Sequence, residues 1–348
     1  MASLSDSPFL PVRPDWLALR QEAPLDPAQP IIDPHHHLWD VVHPRYLLDE
    51  LLADLRGGHN ILATVFVECR SMHRAEGAEA LRPVGETAFV AGVAAMMESG
   101  LYGSCRACAG IVGHADLRLG AAVQPVLEAH LAAGGGRFRG IRHISVWDAS
   151  PATRSGTFMP PRGLLGDAAF REGFARLGPL GLSFDAWLYH TQLGELLDLA
   201  RAFPDTVIVL DHVGGPLGVG PYAGQREAVF AAWRRDIQEL AKLPNLHVKL
   251  GGMAMRISGL TFHEQPLPPS SEQLAAAWKP WVETCIEAFG SARCMFESNF
   301  PVDKGMCSYT TLWNAFQRLA AAASAEEKQA LFAGTAARVY RLPVSPGE

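Results

Sequence analysis

The sequence predicts an α/β protein of the (β/α)8, or TIM-barrel, class. Three observations carry this expectation. Eight short apolar runs alternate with longer amphipathic segments between residues 30 and 342. The runs are nearly continuous in apolar residues, as parallel strands covered on both faces must be. The first strand-to-helix turn holds histidines, where an open doubly wound sheet would carry a glycine-rich turn, and neither GxGxxG nor GxxxxGK[ST] occurs.

The strand candidates are 30–33, 61–68, 109–115, 140–146, 182–188, 206–211, 246–250 and 294–298. Helical segments are expected over 84–99, 121–133, 168–177, 193–202, 226–243, 272–289 and 310–323. In the 226–243 segment Val229, Trp233, Ile237 and Leu240 recur at steps of three and four, which makes one apolar helical face. Residues 1–29 are rich in Pro and polar groups and read as an extension wrapped on the surface, with the barrel spanning 30–342. Three loops are long for a minimal barrel: 148–166, 214–225 and 256–272. They follow strands four, six and seven, on the face where barrels build their pockets.

Composition narrows the function classes. The chain has 348 residues, 48% hydrophobic and 19% charged, so a large core is expected and disorder is not. A net charge of -6 gives no basic footprint, which argues against a nucleic-acid partner. No apolar run reaches membrane-spanning length and no secretory signal is visible, so the expected setting is the cytoplasm. Six scattered cysteines suit a reducing compartment, and Cys105-Arg-Ala-Cys108 reads as ordinary packing residues. Trp278, Trp281 and Trp313 are either core residues or part of a homodimer interface.

The chemistry gathers at the strand ends. Ile31-Ile32-Asp33-Pro34-His35-His36-His37 runs from an apolar strand into a polar cluster, and period-2 alternation places Asp33, His35 and His37 on one face. Imidazoles so grouped serve metal ligation or stabilisation of developing negative charge. Further polar groups stand at other ends: Glu68 on strand two, Arg142 on four, Asp185 on five, Asp211-His212 on six, Lys249 on seven and Glu297 to Asn299 on eight.

These motifs resemble the amidohydrolase-related proteins of the amidohydrolase superfamily, and more narrowly the barrel hydrolases that include sugar-acid and dicarboxylate lactonases. The matching pieces are residues 32–39, Phe138-Arg139-Gly140-Ile141-Arg142-His143, Leu210-Asp211-His212-Val213-Gly214, Val248-Lys249-Leu250-Gly251-Gly252, residues 295–301 and the tail 332–341. The resemblance implies that His35, His37 and His212 line the pocket. There they either bind one divalent metal, Zn2+ or Mn2+, or polarise a lactone carbonyl without metal. It implies that Arg142 holds a substrate carboxylate, with a structural ion pair as the alternative. Glu68, Asp303, Lys249 and His190 are further candidates to face the substrate.

One departure is evident. The family places an Asp in the strand-eight turn, where this chain has Asn299. An amide has no useful basicity and ligates metal weakly. Glu297, Asp303 and Glu68 are the nearby carboxylates that could act in its place, and any metal is expected to be weakly held. The expected activity is hydrolysis of a small carboxylate-bearing lactone. A decarboxylase, a lactone isomerase or a non-catalytic binding barrel is the alternative.

Overall fold

The computed structural model describes residues 9–40, 45–156 and 158–344. Eight parallel strands form one sheet in sequential order: β1 (Pro30–His36), β2 (Asn60–Val67), β3 (Arg106–Gly113), β4 (Phe138–Arg142), β5 (Ser183–Ala186), β6 (Ile208–Leu210), β7 (Leu246–Leu250) and β8 (Cys294–Phe296). The ring closes through the residues after β8. The Asn299 amide donates to the His35 carbonyl (2.9 Å) and the His37 amide to the Phe300 carbonyl (2.8 Å). The expected barrel is therefore present. The helices are α1 (Pro14–Leu17), α2 (Leu48–Leu55), α3 (Val84–Glu98), α4 (Gln124–Ala133), α5 (Ala168–Phe174), α6 (Leu193–Ala202), α7 (Arg226–Leu240), α8 (Ser271–Phe289), α9 (Tyr309–Leu319), α10 (Ala325–Gln329) and α11 (Thr335–Val339). Among the described residues no helix is long and apolar enough to cross a membrane.

Two apolar cores follow from strand alternation. One lies between sheet and helices and takes the predicted stripe of α7, Val229, Trp233, Ile237 and Leu240. Trp278, Trp281 and Trp313 are buried in it, so they offer no outer surface to a second subunit. The other fills the barrel, where Ile32, Val65, Val67, Val112, Val209 and Met295 converge. Tyr340, just beyond α11, plugs this interior and donates its hydroxyl to Asp185 Oδ2 (2.7 Å).

The alternation expected along β1 does not hold through Asp33. The register with β2 slips between Asp33 and His36, which align with Thr64 and Phe66. Asp33 thereby turns outward, to the Tyr309 hydroxyl (3.0 Å) and the Ser298 amide (3.0 Å). Only His35 and His37 enter the barrel mouth together, with ring centroids 4.9 Å apart. The residue responsible is Pro34, which has no N–H to give to a ladder, so the strand bulges there.

The extension 9–29 is fastened across the strand-seven loop and α9. Trp16 Nε1 donates to the Gln265 carbonyl (2.9 Å), and Asn314 Nδ2 donates to Glu22 Oε2 (3.1 Å). Cys105 and Cys108 are free thiols, and burial pushes Cys105 up to about 12, so it packs as a neutral group.

The Tyr340–Asp185 bond gives a direct test of the interior plug. Tyr340→Phe removes one donor from a fully buried carboxylate. Urea unfolding is expected to show a loss of about 1–3 kcal/mol with an unchanged m-value.

Candidate active site

Glu297, immediately after β8, organises the site. Its Oε1 accepts from His212 Nδ1 (2.6 Å) and from the His212 amide (3.1 Å). Its Oε2 lies 2.8 Å from His35 Nδ1. Burial alone would raise this carboxyl, but the imidazoles of His212 and His35 overcome it and hold it at about 2. The close approach depends on glycine. A Cβ on Gly251 would lie 2.3 Å from Glu297 Cγ, and one on Gly252 (φ +64°) would lie 2.3 Å from His212 Nδ1.

These contacts fix the protons. His212 gives its Nδ1–H to Glu297, and His37 gives its own to the Val67 carbonyl (2.8 Å). A carboxylate or carbonyl can only accept, so both rings carry a proton on Nδ1, and burial keeps His37 neutral with its Nε2 lone pair toward the cavity. His35 Nε2 accepts from Arg142 Nη1 (3.3 Å). Burial, followed by the nearby Lys249 ammonium, drives His35 well below the ordinary imidazole range.

Beneath the rings lies a buried charge cluster. Lys249 Nζ contacts Asp185 Oδ2 (2.6 Å), Asp211 Oδ1 (3.0 Å) and His35 Nδ1 (3.1 Å). Arg142 donates through Nε to Glu68 Oε1 (2.9 Å) and through Nη2 to the Glu68 carbonyl. Burial opposes the charge on Lys249, yet Asp185, Asp211 and Glu297 raise it above the usual lysine range.

The donor set suits a divalent metal. Ligating atoms of His35, Asp211 and His212 lie within 4.8 Å of one another. Asp211 is fully buried, and apart from its ion pair with Lys249 neither of its oxygens accepts an aligned hydrogen bond, so lone pairs remain for a further cation. An imidazole whose other N–H is held by a carboxylate, as in His212, is the usual metal-ligand arrangement. This trio differs from the expected His35, His37 and His212. The Val67 carbonyl turns the His37 ring toward Asn299, and Asp211 takes its place in the group.

A cavity of about 370 Å³ opens above, a size that suits a small ligand. His37, Arg142, His212 and Asn299 give it a polar floor, and Phe9, Trp39, Phe158 and Trp187 form apolar walls. A smaller, mostly apolar cavity of about 130 Å³ lies on the other side of His212 and shares that residue. Arg142 lines the larger cavity, whereas Glu68, Lys249 and Asp303 stand behind it. Glu68 holds Arg142, so the ion-pair alternative describes much of that arginine. Asp303 accepts from Asn299 Nδ2 (2.9 Å) and the Ala254 amide (3.1 Å), and burial pushes it up to about 7. His190 lies apart: its Nδ1 accepts from the Leu217 amide (3.3 Å) and its ring meets Tyr222, so it arranges loops.

Three contributors carry no recognisable signal in the sequence. Phe9 reaches the cavity from the N-terminal extension and stacks on Trp39, a long-range contact that no local pattern announces. Phe158 comes from the 148–166 loop, expected to shape the pocket but without a named residue. Glu86, in the first turn of α3, accepts from the Cys69 and Ser71 amides and so sets the turn after β2.

Residues 32–342 match the amidohydrolase family. The chain belongs to that family. The protein y4mH of Sinorhizobium fredii is 33% identical over 334 residues, covering 90% of this chain and 98% of the relative. An L-fucono-1,5-lactonase of Burkholderia multivorans is 30% identical over 244 residues, 68% of this chain and 72% of the relative. A Burkholderia multivorans amidohydrolase structure with bound zinc superimposes at TM-score 0.68 and 26% identity, covering 90% of this chain and 99% of that one. This amidohydrolase is thus a hydrolase by family, on the barrel that the sequence predicted.

Two outcomes test this geometry. Gly252→Ala is expected to displace the His212 ring and lower kcat/KM by about 100-fold or more, since a misplacement near 1 Å costs that much. A crystal structure of the variant checks the ring position. Glu86 offers a pH test: burial, reinforced by Glu68, raises it from 4.5 to about 8. The folded state therefore holds a proton that the unfolded state releases, and this group's contribution to stability is lost as pH rises from 4.5 to about 8. Glu86→Gln keeps the acceptor and removes the titration, so its melting temperature is expected to gain on the wild type between those limits as pH rises.

Proposed function

We propose that this amidohydrolase opens a small carboxylate-bearing lactone by attack of water. One observation carries the reading. His37 Nε2 and Asn299 Oδ1 lie 3.4 Å apart at the cavity floor. Both are acceptors there, because His37 Nδ1 donates to Val67 and Asn299 Nδ2 donates to Asp303. Two adjacent acceptors call for a shared donor, and a water on their cavity side with one O–H directed to each fits that need. Asn299 so orients a water that it cannot deprotonate, and the adjacent imidazole lone pair accepts the proton.

The carbonyl oxygen is met by Arg142. Three of its N–H groups are engaged by Glu68 and His35, which leaves N–H groups on the cavity-lining guanidinium for a developing oxyanion. Water adds to the carbonyl carbon, the ring C–O bond breaks, and His37 returns its proton to the departing alkoxide. The product hydroxy acid then ionises, so one proton is released per turnover.

A divalent ion at His35, Asp211 and His212 would supply Lewis acidity and a more acidic water. Lys249 already lies against Asp211, and Asn299 brings no charge, so Zn2+ or Mn2+ is weakly held in this reading. The kinship with an L-fucono-1,5-lactonase supports lactone chemistry, and the small polar-floored cavity supports a sugar-acid-sized ring.

The test is proton release from a panel of sugar-acid and dicarboxylate lactones in weak buffer, before and after dialysis against chelator. Ring opening is expected, and His37→Gln is expected to lower kcat by about 10²- to 10⁴-fold with little change in KM. Release of CO2, or isomerisation without net proton release, would overturn the hydrolytic reading. Zinc retained one per chain after dialysis would overturn weak holding.

A further inference from the structure

The cavity contains a cation that the floor chemistry leaves unused. Arg70 follows β2, is exposed, and lines the cavity beside Cys69 and Phe158. Its guanidinium carbon lies 4.6 Å from the centre of the Phe158 ring. Among the described residues no hydrogen bond or ion pair engages that guanidinium. Arg142, by contrast, has a carboxylate, a carbonyl and an imidazole as partners.

The backbone shows that Arg70 is placed rather than loose. Its φ of 64° lies in the left-handed region, which non-glycine residues seldom occupy and which recurs at functional sites. The amides on either side, of Cys69 and Ser71, both donate to Glu86 Oε1, at 3.1 and 2.8 Å. Glu86 is itself fully enclosed. One buried carboxyl thus pins the kink from both flanks, and Phe158 supports the guanidinium from one face. A guanidinium supported on its face keeps its N–H edge open, and that edge matches a carboxylate bidentately.

We infer that Arg70 takes the substrate's carboxylate at the cavity mouth and is the residue that selects anionic lactones, a role the sequence had suggested for Arg142. This assignment rests on the lactonase reading for its substrate class. The two arginines then act at opposite ends of the substrate, with Arg142 facing the reacting carbonyl and Arg70 facing the remote acid group. The Phe158 loop carries part of this selectivity, because it sets where the guanidinium can rest.

The experiment compares wild type, Arg70→Gln and Arg70→Lys on γ-butyrolactone-γ-carboxylate and on its neutral carboxamide. Arg70→Gln is expected to lose about 10- to 100-fold in kcat/KM on the carboxylate, the range for a charge-assisted contact, and less than about 3-fold on the carboxamide. Arg70→Lys is expected to recover only part, because an ammonium lacks the fork. Equal losses on both substrates, or none on the carboxylate, would overturn the assignment while leaving lactone hydrolysis standing. Titration calorimetry with the ring-opened acid, α-hydroxyglutarate, separates the two readings. Binding by wild type that Arg70→Gln abolishes supports Arg70 as the anion site even where no lactone is turned over. Equal binding by both would overturn it.

Discussion

The Glu297 carboxylate is the contact on which the site depends. Its two oxygens tie β8 to the end of β1 through His35 and to the turn after β6 through His212. A buried carboxylate is tolerable only when donors surround it, and here the donors are the His35 and His212 rings. The same contact that makes Glu297 permissible in the interior therefore decides which nitrogen of His212 holds a proton. His212 and Asn299 occupy left-handed backbone, at φ 55° and 54°, and both are held there by bonds to the neighbouring strand ends. The strain at these residues is offset by the clamp, so orientation and fold stability are one problem with one solution.

Charge balance gives Asn299 a physical rationale. Two cations, Lys249 and Arg142, face four buried carboxylates, Glu68, Asp185, Asp211 and Glu297. Another ionised carboxylate at position 299 would add negative charge to a region already in excess. The amide avoids that and keeps a hydrogen bond to Asp303, which burial has already pushed to about 7. A divalent cation is the kind of partner that such an excess of negative charge favours.

Much of this could be read in the sequence because it depends on period and on strand ends. Eight apolar runs produced eight strands, and the polar residues that follow strands one, four, six and eight do meet in space. What could not be read depends on departures from regular geometry. The bulge at Pro34 moved Asp33 out of the cluster, a one-residue shift that alternation alone cannot reveal. The choice of Asp211 over His37 beside His35 and His212 turned on where the His37 Nδ1 proton goes, namely to a backbone carbonyl on the neighbouring strand. Phe9 entered through a contact between the N-terminal extension and the barrel mouth, which has no local signature at all.

The division between floor and rim follows from how each is held. Floor residues sit at or just beyond strand ends and are locked by buried ion pairs and hydrogen bonds, whose geometry changes little without a large cost. Rim residues come from loops and the extension, and they are fixed by stacking: Phe9 on Trp39, Trp39 on His37, and Arg70 on Phe158. Stacking depends less on exact direction than a buried ion pair does, so the rim can be rebuilt by loop substitution without disturbing the imidazoles beneath. In the proposed lactonase, such an arrangement would let one reaction centre serve differently substituted rings. It also places selectivity in the loops after β2 and β4, away from the residues whose movement would unfold the barrel.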